Sequence, residues 1–147
     1  MENATSDKSG TISLPVQTLS LDAIKKIKKL RKIVLQFEME MSAKGDRQLK
    51  LVIYPLYKNK GQRKYGKPIA MEITGNEKVS LPLPLTFGNL ELGKEEIANL
   101  IKTETKNLVF KPCLYEENPH AAYLVTDDSG QTAAYANPTP PGRPSAQ

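Results

Sequence analysis

From Val34 onward the chain alternates with a period of two. Leu35, Phe37, Met39 and Met41 fall on one side, and Gln36, Glu38, Glu40 and Ser42 on the other. This is the pattern of a β-strand with one wet face, and it commits the region to a sheet that must bury its other face. The turn AKGD follows, with Gly45 free to take positive φ. From Gln48 to Tyr57 both faces are partly apolar, with Leu49, Leu51 and Ile53 on one and Val52, Tyr54 and Leu56 on the other. A central strand is expected there, until Pro55 ends regular pairing.

Other stretches carry the same signal more weakly. Ile12, Leu14 and Val16 alternate, but Pro15 confines that strand to an edge. Ile69, Met71 and Ile73 form a short strand. In VSLPLPLTF, Val79, Leu81, Leu83, Leu85 and Phe87 share one side while Pro82 and Pro84 lack donors, so an edge strand or an extended segment laid across the core is expected. Residues 108–115 and 121–126 read as two strands joined by the turn EENPH, and QTAAYA adds a weak last strand.

Two segments have helical spacing instead. Ser20 stands at an N-cap position with Asp22 in the first turn, and the run from Leu21 to about Lys32 places Ala23, Ile24, Ile27, Leu30 and Val34 on one face. Lys25, Lys26, Lys28, Lys29 and Lys32 occupy the opposite face. A second helix, about Lys94 to Glu104, buries Ile97, Leu100 and Ile101. Together these elements predict an α+β fold: an antiparallel sheet of about five to six strands with two helices packed on one face. The 147 residues suit one domain over 11–136, between a flexible lead at 1–10 and a disordered, proline-rich tail at 137–147.

Charge divides the chain. Residues 1–70 hold fifteen Lys and Arg against six Asp and Glu, a balance of +9, whereas the remainder holds six against ten, a balance of −4. A basic half points to an anionic partner. The most distinctive stretch is KNKGQRKYGKP at 58–68, read as a loop too long for a tight hairpin. It carries Lys58, Lys60, Arg63, Lys64 and Lys67, with Tyr57 beside it and Tyr65 within it. Cations placed to neutralise phosphates, next to rings on which bases stack, are the parts of a sequence-independent nucleic-acid site. Lys25, Lys28, Lys29 and Lys32 on the helix add to it. The plainer explanation of a lysine-rich helix face is solvated surface, and Lys is a poorer bidentate reader than Arg.

Catalytic chemistry lacks its usual parts. There is one Cys and one His, no phosphate loop and no G-x-S-x-G. Cys113 and His120 bracket the EENPH turn, but a hairpin there sets Cys113 opposite Ala122 and His120 opposite Tyr115, offset along the ladder. Cys113 then reads as a small buried hydrophobe and His120 as a solvated turn residue. Asp127 and Asp128 read as an Asx-type turn. The sequence therefore predicts a non-enzymatic binding protein without metal or cofactor, whose partner is DNA or RNA. The alternative is a structural module that assembles with itself or other chains through the edge at Val79–Phe87. The lone cysteine, the absence of a secretory pattern at the start and the lack of a long apolar run point to a cytoplasmic protein that does not enter membranes.

Overall fold

The alternating segments pair, and the second pairs on through Pro55, where an end was expected. β2 (Leu30–Met41) and β3 (Arg47–Asn59) form one antiparallel ladder from Leu30 opposite Tyr57 to Met41 opposite Arg47. Gly45, at φ +87, lies in the turn between them. The computed structural model describes residues 10–27, 30–41, 45, 47–59, 62–115 and 119–138. Among them are eight further strands: β1 (Thr11–Ser20), β4 (Gln62–Tyr65), β5 (Ile69–Ala70), β6 (Glu72–Pro82), β7 (Leu90–Leu92), β8 (Asn107–Tyr115), β9 (His120–Thr126) and β10 (Thr132–Pro138). Of the expected tail at 137–147, Asn137 and Pro138 are instead paired strand residues of β10, and the rest, 139–147, lies outside the described residues with most of the lead, 1–9.

The expected α+β sheet of five to six strands is corrected by this arrangement. Strands make up about 65% of the described residues, and nine antiparallel strands run in the order β4-β3-β2-β7-β10-β9-β8-β1-β6, curling into a nearly closed barrel, with β5 paired beside β3. Only two short helices are present among the described residues, α1 (Leu21–Lys25) and α2 (Lys94–Lys102). Neither lies on a sheet face. Leu21 and Ile24 of α1, with Ile97 and Leu100 of α2, join the inward residues Ile33, Leu35, Leu51, Ile53, Leu90, Leu92 and Phe110 in the main core cluster, so the helices stop one end of the barrel. Ile101, expected to be buried, is exposed.

The long first helix fails for an energetic reason. Helices of a few turns are marginal on their own, and pairing that buries β-branched residues overrides their propensity. Here the ladder with β3 claims the chain from Leu30, burying Ile33 and Val34, and the helix is over by Lys26.

The other barrel end is filled by the proline-rich stretch. Val79–Pro82 belongs to β6, an edge strand as expected, but 83–88 leaves the sheet, with a cis Leu83–Pro84 bond. Leu83, Leu85 and Phe87 enter a second cluster with Ile12, Leu14, Leu81 and Ala121. Phe37 links the two clusters, meeting Phe87 edge-on at 5.2 Å between centroids and Tyr123 at 6.1 Å. Pro15 sits in the half of β1 that pairs with β6 alone; pairing with β8 begins at Gln17.

Closure depends on Gln17, which is fully buried. Its side-chain amide donates to the Leu51 carbonyl at 3.0 Å and accepts from the Leu51 N–H at 2.8 Å. β1 and β3 share no ladder, so this one side chain does across the seam what a neighbouring strand would do.

Tyr123 is the opposite case. Its ring is buried among the core residues, yet its hydroxyl has no partner among the described residues. Burial, with a smaller contribution from Cys113, pushes its ionisation well above the ordinary tyrosine range. A buried hydroxyl without a partner costs about 1–3 kcal/mol. Tyr123→Phe is therefore expected to raise stability by about 1 kcal/mol in urea unfolding, where most core substitutions lower it.

Candidate nucleic-acid interface

The basic stretch after Tyr57 is a tight hairpin, which corrects the expectation of a long loop. Asn59 pairs with Gln62, Lys58 with Arg63, Tyr57 with Lys64 and Leu56 with Tyr65, so two residues at the tip connect β3 to β4. Gly66 then donates to the Pro55 carbonyl at 2.8 Å. A Cβ on Gly66 would approach Pro55 Cγ at 3.1 Å, so glycine lets the chain turn back close against β3. Tyr65 is half exposed, and Lys67 is exposed. Lys60 lies outside the described residues.

The predicted helical stripe is not brought together. Lys25 ends α1 and is exposed, Lys28 and Lys29 lie outside the described residues, and Lys32 is a strand residue of β2. Lys32 nevertheless reaches the hairpin by another route. It pairs with Leu56, which pairs with Tyr65, so Lys32, Leu56 and Tyr65 form one row across β2, β3 and β4. Glu91 of β7 meets Lys32 at 3.3 Å, an ion pair whose two side chains are only 18% and 27% exposed.

Positive charge thus gathers at one end of the β2–β3 ladder, while the far end is mixed. There Lys50 meets Glu40 at 2.6 Å and the Tyr54 hydroxyl donates to Glu38, a bond that raises the tyrosine's ionisation.

The groups considered for catalysis are spoken for. His120 pairs with Tyr115 and Cys113 with Ala122, the register read from the sequence. His120 is not the solvated turn residue expected, because it is only 9% exposed. Its Nε2 accepts the Gly88 N–H at 2.9 Å and its Nδ1 donates to the Ala121 carbonyl at 2.7 Å. Burial pushes the Cys113 thiol up, away from the thiolate a nucleophile needs.

Asp127 accepts from the Ser129 hydroxyl at 2.7 Å and from the Ser129 and Gln131 N–H groups at 2.9 Å each. These bonds, the Ser129 hydroxyl first, hold its carboxyl below the usual range and use it up in the turn. Among the described residues no group of three or more His, Cys, Asp or Glu stands close enough to hold a metal ion, and no helix is long and apolar enough to cross a membrane.

Comparison with protein-family models, with curated proteins and with solved structures finds no match for the chain.

Proposed function

We propose that this chain is a non-enzymatic nucleic-acid-binding protein that works through the basic end of the β2-β3-β4 sheet, largely independently of sequence. The observation carrying this reading is the register Lys32–Leu56–Tyr65, which sets the first residues of β2 against the basic hairpin although some 30 residues of chain separate them. The ladder also makes Lys58 and Arg63 direct partners.

The non-enzymatic part rests on His120, the chain's one histidine, whose two ring nitrogens are both committed to main-chain groups. A reducing, cytoplasmic setting suits the lone thiol.

The test is fluorescence anisotropy with DNA and RNA across a salt series. Binding is expected to weaken steeply with salt. Replacing Lys58, Lys60, Arg63, Lys64 and Lys67 together by Ala is expected to flatten the log–log slope by up to about 3.5 units, at about 0.7 per phosphate contact on a single strand. An unchanged slope with tight binding would remove the hairpin from the site.

A second reading, an assembly module, draws on β6, which pairs only with β1, and on Met39 and Met41, which are 52% and 58% exposed at the far end of β2. Light scattering over a dilution series separates the two readings: a strict monomer that binds nucleic acid rejects the second.

A further inference from the structure

The row that begins at Tyr65 does not stop at Lys32. Ile33 pairs with Leu92, so Gly93 extends the register beside Lys32. Glu91 pairs with Asn137, which by the same count puts Gly93 beside Tyr135. Tyr135 pairs with Leu124, and Leu124 with Lys111. Around the barrel the row therefore reads Tyr65, Leu56, Lys32, Gly93, Tyr135, Leu124, Lys111. The same triplet, tyrosine then leucine then lysine, occurs twice, each time across three adjacent antiparallel strands.

Both triplets take outer register positions, although Leu56 is itself buried. On the strands that carry them the inward positions are the core residues Ile33, Leu92, Ala134, Tyr123, Val125 and Phe110, and strand alternation sends their neighbours to the outer face. Tyr65 and Tyr135 are 50% and 53% exposed, large apolar rings kept in solvent beside a lysine's row, and Leu124 and Lys111 are half-buried. At about 4.8 Å per strand the two rings lie about 19 Å apart along the surface.

We propose that the two triplets are paired stacking stations for one single strand of nucleic acid, with a base on Tyr65 and another on Tyr135 and phosphates drawn to Lys32 and Lys111. This rests on the nucleic-acid reading above and narrows it to unpaired strands. In a duplex the base faces are covered by their neighbours and only the edges show in the grooves, so rings on a convex outer wall reach no base face. An unpaired strand offers bare faces, and stacking is indifferent to sequence because every base has one.

Two carboxylates stand between the stations. Glu91 pairs with Lys32, and Glu96 Oε1 accepts the Gly93 N–H at 2.8 Å, so phosphates are held at the stations and not over the middle. The inference thus predicts two separated contacts joined by linker nucleotides, and an affinity that climbs once the oligonucleotide is long enough to bridge them.

The experiment uses the full chain with fluorescein-labelled oligothymidylates of about 4 and about 16 nucleotides and a duplex of the longer length, at fixed salt. The longer single strand is expected to bind more tightly than either other probe. Tyr135→Ala is expected to weaken it between about fivefold and a hundredfold, at the stacking value of one base, and Tyr135→Phe to keep it within about twofold. Lys111→Ala is expected to weaken it less. Both positions are surface ones away from the hairpin, and matching thermal melts confirm folding. If Tyr135→Ala leaves the long oligothymidylate bound as before while the five-residue hairpin variant loses it, the paired stations are wrong and the basic hairpin stands. If the duplex binds as well as the single strand, the stations are likewise wrong. If no probe binds the parent protein, both readings fall together.

Discussion

Gln17→Leu is expected to lower the stability of this protein by about 4 kcal/mol, measured as a fall in the urea midpoint at constant slope. Leucine fits the volume and the apolar setting, so a view of the interior as a hydrophobic filling would predict little change. The hydrogen-bond geometry predicts otherwise. Gln17 is fully buried and satisfies both main-chain groups of Leu51, at 2.8 and 3.0 Å, across the seam where β1 and β3 share no ladder.

Removing the amide strands a buried N–H and a buried C=O at once, at about 1–3 kcal/mol each. Against the 5–15 kcal/mol that holds a typical domain, the loss is large. Gln17→Glu sharpens the test. Its carboxylate still accepts from the Leu51 N–H but opposes the carbonyl, whereas its protonated form both donates and accepts. The variant's folded-state pKa is therefore raised above the unfolded value of about 4.3. The deficit relative to the parent is expected to be smallest below that value and to grow as pH rises through the folded pKa. A deficit independent of pH would show that the seam does not depend on this amide.

That seam marks the limit of what the sequence disclosed. Local periodicity was legible: the alternation from Leu35 to Met41, the partly apolar faces of 48–57 and the Cys113–Ala122 register all reappear in the structure. Each is set within a strand or by a short turn. Barrel closure is set by pairings between distant segments, β2 with β7 and β1 with β8, and no local pattern announces them.

The run at 21–32 shows the same limit in another way. Ile24, Ile27 and Leu30 have helical spacing, but Leu30 onward also suits a strand, and the partner that decides the matter, β3, lies beyond it in sequence. The basic hairpin is legible as composition and not as geometry, because Gly61, Gly66 and Pro68 punctuate the stretch alike and nothing local says where it turns. Tyr135 carried no signal at all. It stands in QTAAYA among small residues, and its place in a row with Tyr65 follows only from β7 lying between β2 and β10.

Gly88→Ala is expected to cost about 2–3 kcal/mol, for a reason that lies 32 residues away in sequence. The segment 83–88 is strapped over the second core by four bonds: Leu83 N–H to Gly10, Thr86 N–H to Pro119, Ala121 N–H to Thr86 and Gly88 N–H to His120 Nε2. A Cβ at Gly88 would stand 2.9 Å from that same Nε2 and 3.7 Å from Cε1, closer than real side chains tolerate. The ring cannot simply swing aside, because its Nδ1 is held by the Ala121 carbonyl and the residue is buried. The strap must lift instead, which loosens Phe87 from Phe37 and opens the cluster that Leu83 and Leu85 help to fill. Partial loss of such aromatic packing, added to one hydrogen bond, gives the stated magnitude.

His120→Ala loses the same hydrogen bond and leaves a gap, but it also removes the atom that Gly88→Ala strikes. In the His120→Ala background, Gly88→Ala is therefore expected to cost less than about 0.5 kcal/mol, so that a double-mutant cycle returns a coupling of roughly 2 kcal/mol. Additive losses would mean that the strap is held elsewhere along 83–88 and that the close approach of glycine to histidine is incidental.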